Sequence, residues 1–348
     1  MTRPTVRLTL AEMDALTRRV LIASNTSERN AIPVAQSIVA AEAEGVLNSG
    51  LVRLPGYCEH ARIGKVDGHA TPECRTLGPA ALLVDARTGF AHPAIDRGLA
   101  ELIPLARRTG IAAAAVTNSY NAGVVGHHVE RLAEQGLIGL AFVNSPKVLA
   151  PWGGHKPLFG TNPIACAAPR RAGPPIVIDQ SSSVVARGEV LLCLERGEPI
   201  PDTWGFDADG RPTTDPKAVL AGGTLAPFGG YKGALIALLV EILAAALTGS
   251  KFSYEASSYT DSTGGPPRTG QFFIAIDPAF FCGEALPGRV EELAEAILAQ
   301  PGTRLPGDRR RAARARAEAE GVTVDRSLYE RILGYAVPAS PSHALTSS

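Results

Sequence analysis

The chain carries no excess charge: 34 lysines and arginines face 34 aspartates and glutamates, a formal net charge of +0 at pH 7. That balance removes the overall electrostatic case for a nucleic-acid or anionic-membrane partner. Paired cysteine motifs are missing too. The five cysteines, Cys58, Cys74, Cys166, Cys193 and Cys282, are odd in number and scattered, with no CxxC. This argues against zinc ribbons and redox dithiols and for free thiols in a reducing cytosol. No apolar run is long enough to span a bilayer; the longest, Ala234 to Leu247, is broken by Glu241 and reads as a buried helix. The first residues lead into an amphipathic segment and show no signal peptide, so the expected compartment is the cytoplasm. No GxGxxG follows a strand, and no GxxxxGK runs into Ser or Thr. A bound dinucleotide would therefore use neither a Rossmann fingerprint nor a P-loop.

What is present is a chain of 348 residues with 36 glycines and 27 prolines, so turns are numerous. Thr9-Leu-Ala-Glu12 is a capping box ahead of an apolar face made by Leu10, Met13, Leu16 and Val20. Periodicity predicts helices over 27–45, 49–64, 94–110, 124–136, 181–195, 231–247, 290–300 and 308–321. Apolar runs predict strands over 82–85, 111–117, 137–143, 164–168, 176–179 and 271–277. The polar stretch 253–268 reads as a loop, and 338–348 as a disordered tail. Arg304, Arg309, Arg310, Arg311, Arg314 and Arg316 read as a solvated helix face, because glutamates interleave later.

The densest stretch lies between Val116 and Gly233. It holds the turns Ala150-Pro-Trp-Gly-Gly-His155, Phe159-Gly-Thr-Asn-Pro-Ile164 and Pro227-Phe-Gly-Gly-Tyr-Lys-Gly233. A hydroxyl cluster, Ser181-Ser-Ser183, precedes Arg187 and Gly188. Glycines admit close approach of backbone to ligand, successive N–H groups can cradle an anion, and an arginine binds phosphate with two parallel bonds. These parts suit a phosphorylated cofactor; they equally suit the tight turns of an ordinary α/β domain.

The sequence resembles the malate/L-lactate dehydrogenase-like (type 2) oxidoreductases along nearly its whole length. The resemblance rests on Gly136-Leu-Ile-Gly-Leu-Ala-Phe-Val-Asn-Ser145, Pro151-Trp-Gly-Gly154, Gly160-Thr-Asn-Pro-Ile164, Val184-Val-Ala-Arg-Gly188, Asp207-Ala-Asp-Gly-Arg-Pro-Thr-Thr-Asp-Pro216 and Pro227 to Gly233. Within the family, Arg53-Leu-Pro-Gly-Tyr57, Lys156-Pro-Leu-Phe-Gly160 and Arg304-Leu-Pro-Gly-Asp-Arg309 are similar to the Δ1-piperideine-2-carboxylate/Δ1-pyrroline-2-carboxylate reductases. The resemblance implies an α/β fold: a non-Rossmann NAD(P)-binding domain with a mixed, largely antiparallel sheet over 116–289. It also implies a helical substrate and dimerisation region built from both termini, 1–115 and 290–337. NADPH is the implied cofactor, with NADH open, a small carboxylate the implied substrate, and a homodimer the implied assembly.

Carried over position by position, the resemblance implies that Arg53 holds the substrate carboxylate, with Asn48, Tyr57 and Thr161 beside it. Asn121, Asn144, Ser145, Gly160, Thr161 and Asn162 are expected around the nicotinamide and ribose. Asp179 is expected to hold the hydrogen-bond network at the reacting centre. Ser181, Arg187 and Gly188 are expected at the phosphates, and Gly229, Gly230, Lys232 and Gly233 in the opposing turn.

Three positions depart from the family. Its Ser-His-Gly is Asn48-Ser49-Gly50 here, so the expected acid–base imidazole is Ser49. Asn121 and Tyr231 stand at two further positions that carry histidine in the family. Serine cannot replace a titrating imidazole near neutral pH. A ketone needs a donor to its developing alkoxide, whereas the nitrogen of a cyclic imine can already be protonated. The departures favour an imine substrate; Tyr231 reads equally as a substitute proton donor and as a packing aromatic at a helix start. A 2-oxo acid reductase and a cofactor-binding protein without redox chemistry remain the alternatives. His127 and His128 point in different directions on a helix, so no metal site is expected.

Overall fold

The computed structural model describes residues 4–337; the expected tail over 338–348 lies outside the described residues. The chain opens with β1 (Thr5–Leu8), α1 (Leu10–Ala23), α2 (Glu28–Ala43) and, after two 3₁₀ turns, α3 (Leu54–Arg62). Next come β2 (Glu73–Gly78), β3 (Ala81–Asp85), α4 (Ala91–Thr109), β4 (Ile111–Ser119), α5 (Val125–Glu134), β5 (Ile138–Val143), β6 (Ile164–Ala168) and β7 (Ile176–Gln180). A small lobe follows: α6 (Arg187–Arg196), β8 (Gly205–Phe206), α7 (Pro216–Leu220), β9 (Thr224–Leu225) and α8 (Tyr231–Val240). The chain closes with β10 (Thr269–Ile276), α9 (Ala285–Leu298), α10 (Asp308–Glu320), β11 (Val322–Asp325) and α11 (Arg326–Leu333).

Seven strands form one sheet in the order β2-β3-β4-β10-β5-β6-β7. Only β3 and β4 pair in parallel; every other neighbour is antiparallel. The expected mixed, largely antiparallel sheet is therefore present. Alternation explains how it is covered: Ala112, Ala114 and Val116 of β4 point into the core that receives Leu99 and Leu102 of α4 and Val129 and Leu132 of α5. Gly110, at φ 80°, closes α4 and turns the chain into β4.

The expected domain boundaries need two amendments. The sheet takes β2, β3 and the start of β4 from the segment expected to be helical, because the apolar run of β3 finds its partner in β4. In the other direction α9 is anchored at the sheet. Glu291 accepts from Arg170 Nε at 3.0 Å, from Arg170 Nη2 at 2.9 Å and from the Ala172 N–H at 3.0 Å. A second core joins α1, α2 and α3 to Val324 and Ile332, and β1 pairs antiparallel with β11. The helical half thus joins residues from early and late in the described chain. The capping box forms as the sequence predicts, with Thr9 Oγ1 accepting from the Glu12 N–H at 3.2 Å and the Glu12 carboxylate accepting from the Thr9 N–H at 2.8 Å.

Two helices differ from expectation. The predicted helix over 181–195 starts only at Arg187, because the three serines spend their hydrogen bonds on neighbouring turns. The helix from Tyr231 to Leu247 forms, with a π-helical turn over Glu241–Ala246. It is buried on one side only: Leu235, Leu238, Leu239, Ile242 and Leu247 are exposed on this single chain.

Candidate active site

A cleft of about 1440 Å³ runs between the helical half and the open edge of the sheet. One wall comes from 44–49 and Arg53, and the other from β7 and the N-terminus of α6. Ser258, Tyr259 and Thr260 line part of it, as does the 302–310 segment. The cleft gathers eleven predicted residues: Asn48, Ser49, Arg53, Asn121, Asn144, Ser145, Thr161, Asp179, Ser181, Arg187 and Gly188.

Local folding positions each wall. Arg53 ends a 3₁₀ turn, and its Nε donates to the Asn48 carbonyl at 2.7 Å. That bond leaves both terminal nitrogens free for an anion. Arg187 opens α6 and is half-buried, and its Nε has no hydrogen-bond partner. Burial and the nearby Arg53 charge push the Arg187 guanidinium below its ordinary pKa. Neither arginine is in an ion pair among the described residues. Two unpaired guanidiniums in a partly desolvated cleft favour a bound anion. Ser145 Oγ accepts from the Thr161 N–H at 3.1 Å and lies 3.2 Å from Thr161 Oγ1, which ties the Phe159–Ile164 turn to the chain leaving β5.

Several predicted residues stand behind the wall instead of in it. The Tyr57 hydroxyl donates to Asn121 Oδ1 at 2.9 Å, so Tyr57 orients Asn121 without lining the cleft. Asn162 is fully buried: its Nδ2 donates to the Ala237 carbonyl at 2.9 Å and to Glu241 Oε1 at 2.7 Å. Gly160 admits the chain past Ser145, where a Cβ would come within 2.2 Å of the Ser145 carbonyl oxygen. Gly233 packs behind Ser182 in the same way, its Cβ position being 2.8 Å from the Ser182 carbonyl oxygen. Gly229, Gly230, Tyr231 and Lys232 do not reach the cleft. Tyr231 is 50% exposed and packs against Trp152, with ring centroids 6.1 Å apart. In this chain Tyr231 is a packing aromatic on Trp152 at the start of α8.

The carboxylates Asp179 and Glu44 at the cleft are held by partners other than Arg53. The Asp179 carboxylate accepts from the Gly126 N–H at 2.7 Å, at the N-terminus of α5. Burial raises its pKa, against that hydrogen bond and the charge of Arg310. Glu44 accepts from His127 at 2.8 Å and lies 4.0 Å from Arg310 and 3.7 Å from Arg314. Burial opposes its ionised form, but these partners together bring its pKa below the usual carboxylate value. His128 Nε2 instead meets the Ala122 carbonyl at 2.8 Å, so the two histidines diverge as expected. Among the described residues no group of three metal-ligating side chains gathers.

Sequence reasoning missed the far end of the cleft. Arg304, Arg309 and Arg310 line it, where a solvated face was expected. The usable signal was the turn Gly302 to Gly307 ahead of the helix, which folds the start of the arginine run back onto 44–47. Glu241, the charge inside the apolar run, accepts from Asn162 Nδ2 at 2.7 Å and from the Ser253 N–H at 3.0 Å.

The family model for malate/L-lactate dehydrogenase matches residues 8–333. The chain belongs to the malate/L-lactate dehydrogenase family. It is an oxidoreductase by that membership. The chain is 46% identical over 330 residues to a (2R)-3-sulfolactate dehydrogenase (NADP(+)) of Chromohalobacter salexigens, covering 95% of this chain and 98% of that one. It is 42% identical over 323 residues to a Δ1-pyrroline-2-carboxylate/Δ1-piperideine-2-carboxylate reductase of Pseudomonas putida, covering 93% and 95%. Among solved structures it is similar to Δ1-piperideine-2-carboxylate reductase from Pseudomonas syringae, with a TM-score of 0.90 and 40% identity over 95% of this chain and 100% of that one.

Proposed function

We propose that the protein is an NADPH-dependent reductase of a cyclic imine 2-carboxylate, of the Δ1-pyrroline- or Δ1-piperideine-2-carboxylate kind, yielding the L-imino acid. The observation that carries this reading is the lack of a usable acid around Arg53. Asn48 and Ser49 flank it; burial pushes the Tyr57 phenol up to about 12 and holds that of Tyr259 well above the phenol range. Asp179 is engaged at the start of α5. A substrate that arrives with its nitrogen protonated needs no enzyme acid at that point. Two of the three relatives named above are imine reductases, which supports the same reading.

The cofactor supplies the hydride, and the protein supplies position and charge. The guanidiniums of Arg187, Arg304 and Arg309 line the cleft and fit a ligand with several phosphate charges. NADH remains admissible for the same cleft. Arg53 presents its free guanidinium edge to the substrate carboxylate, and Asn121, Ser145 and Thr161 shape the opposite side. In this reading the sheet region is a non-Rossmann cofactor domain, and the helical half carries the substrate. The outer face of α8, with Trp152 beside it, is the surface through which two copies pair. The five cysteines are all free, which suits the cytosol.

The 46% identity to a dehydrogenase of a 2-hydroxy acid favours a second reading, reduction of a 2-oxo acid. The deciding experiment follows NADPH oxidation with Δ1-piperideine-2-carboxylate, Δ1-pyrroline-2-carboxylate, pyruvate plus methylamine, pyruvate alone and sulfopyruvate. Oxidation confined to the imines supports the proposal. Turnover of the oxo acids alone overturns it in favour of the second reading. Cofactor binding with no turnover on any of them points to chemistry other than redox.

A further inference from the structure

Three tyrosines meet where the Arg53 segment touches the loop that follows residue 253. Tyr57 and Tyr120 have ring centroids 5.3 Å apart, and Tyr120 and Tyr259 5.1 Å, both pairs edge to face. Tyr57 and Tyr120 are buried, whereas Tyr259 is half-buried and lines the cleft. Its hydroxyl is committed to Thr269 Oγ1 at 2.8 Å, so the ring, and not the phenol proton, is what it offers a ligand. Tyr259 and Arg53 both line the cleft, and the tyrosine chain links Tyr259 through Tyr120 to Tyr57 of the Arg53 segment.

The loop carrying Tyr259 is clamped from below. Lys65, with 1% of its side chain exposed, donates to the Asp261 carbonyl at 2.7 Å and to the Thr263 carbonyl at 2.6 Å. His60 Nε2 meets the same Asp261 carbonyl at 2.9 Å, while Nδ1 pairs with the Tyr120 hydroxyl at 2.5 Å. The buried ammonium also lies 3.8 Å from the Asp261 carboxylate, so one loop supplies both its carbonyl acceptors and its countercharge. Acceptors and countercharge from a single segment fix that segment's position over Lys65.

We propose that Tyr259 is the specificity-determining wall of the substrate pocket, selecting a flat ring attached to the carboxylate, with Lys65 and His60 as its positioning residues. The inference rests on the reading of Arg53 as carboxylate anchor and deepens it. A ring pinned by its carboxylate lays its carbon edge against the aromatic surface, and a protonated ring nitrogen adds attraction to the π face. An open-chain acid such as pyruvate has little surface to place there.

The test uses two non-reducible probes, picolinate (a flat ring carboxylate) and oxamate (open-chain), titrated calorimetrically into the NADPH-loaded protein. Tyr259→Ala should weaken picolinate by at least about tenfold and oxamate by less than about threefold, with Tyr259→Phe restoring picolinate. Lys65→Met should follow Tyr259→Ala in direction while leaving NADPH affinity unchanged. Equal losses for both probes, or undiminished picolinate binding in Tyr259→Ala, overturn the proposal. If Tyr259→Ala does not fold, Tyr259→Leu carries the same comparison. Wild-type protein that binds oxamate but not picolinate overturns the wall and leaves the Arg53 anchor standing. Loss of neither probe in Arg53→Ala removes the anchor instead.

Discussion

Gly188 packs so tightly on Asn48 that a Cβ at Gly188 would lie 2.8 Å from the Asn48 Cβ. This contact locks the first turn of α6 to the segment carrying Arg53, and so brings Arg187 and Arg53 to the same end of the cleft. Gly188→Ala forces the two walls apart. Overpacking of this kind costs about 1–3 kcal/mol, and NADPH affinity should fall at the same time. Thermal unfolding and cofactor titration check both effects; unchanged values in both would mean that the contact does not set the cleft.

Arg53→Ala removes the carboxylate anchor. A charge-assisted pair is worth about 1.5–3 kcal/mol, so KM for the 2-carboxylate substrate should rise roughly ten- to a hundredfold. The dissociation constant for NADPH, measured without substrate, should stay within about twofold, since the phosphates are expected at other arginines. An equal loss of cofactor affinity would reassign Arg53.

Ser49 separates the two substrate readings. With an imine, Ser49→Ala should change kcat by less than about threefold, because no proton passes through it. Ser49→His restores an imidazole beside Arg53 and should raise turnover of a 2-oxo acid by at least about tenfold, with a pH dependence that wild type lacks. Steady-state rates with pyruvate and with a cyclic imine, at several pH values, decide the matter.

Two buried histidines predict acid sensitivity. Burial lowers the pKa of His92 to about 3 and that of His128 to about 4, and both ring nitrogens of His92 lack partners. Between the ordinary histidine value and these values the unfolded chain binds protons that the native protein refuses. Stability should therefore be retained above about pH 6.5 and fall as pH drops, by up to about 1.4 kcal/mol per pH unit for each histidine, levelling off below about pH 3. Urea unfolding at pH 7 and pH 5 measures the slope. His92→Leu should flatten its own share; an unaltered slope would assign the acid loss elsewhere.

The fold was legible where burial follows a simple period. Strands such as Ile138–Val143, with strict alternation, and the capped helix after Thr9 were readable because local and tertiary preferences agree. The edge strand Glu73–Gly78 was not, because most of its side chains are exposed and its sequence shows no apolar face. The site was legible at Arg53, Thr161 and Arg187, where a family motif and the cleft coincide. It was misleading at Asn162, whose motif position is a buried structural hub: the left-handed φ of 41° and the bonds to Ala237 and Glu241 explain the residue without a ligand. Arg304 and Arg309 were hidden for the opposite reason, since a turn far along the chain brings them to the cleft and no local pattern reports it.

The antiparallel pair of Thr5–Leu8 with Val322–Asp325 has a consequence for synthesis. During translation α1, α2 and α3 are complete well before Val322–Asp325, the strand that completes their layer, is made. Until then the cleft also stands without the 302–310 segment that lines part of it. The nascent chain must shelter an apolar helical surface until that strand is made, and the cleft is complete only once residues 302–310 have emerged. Joining the two ends and opening the chain at an exposed loop of the sheet region would yield a permutant in which the helical layer and the 302–310 segment are made together.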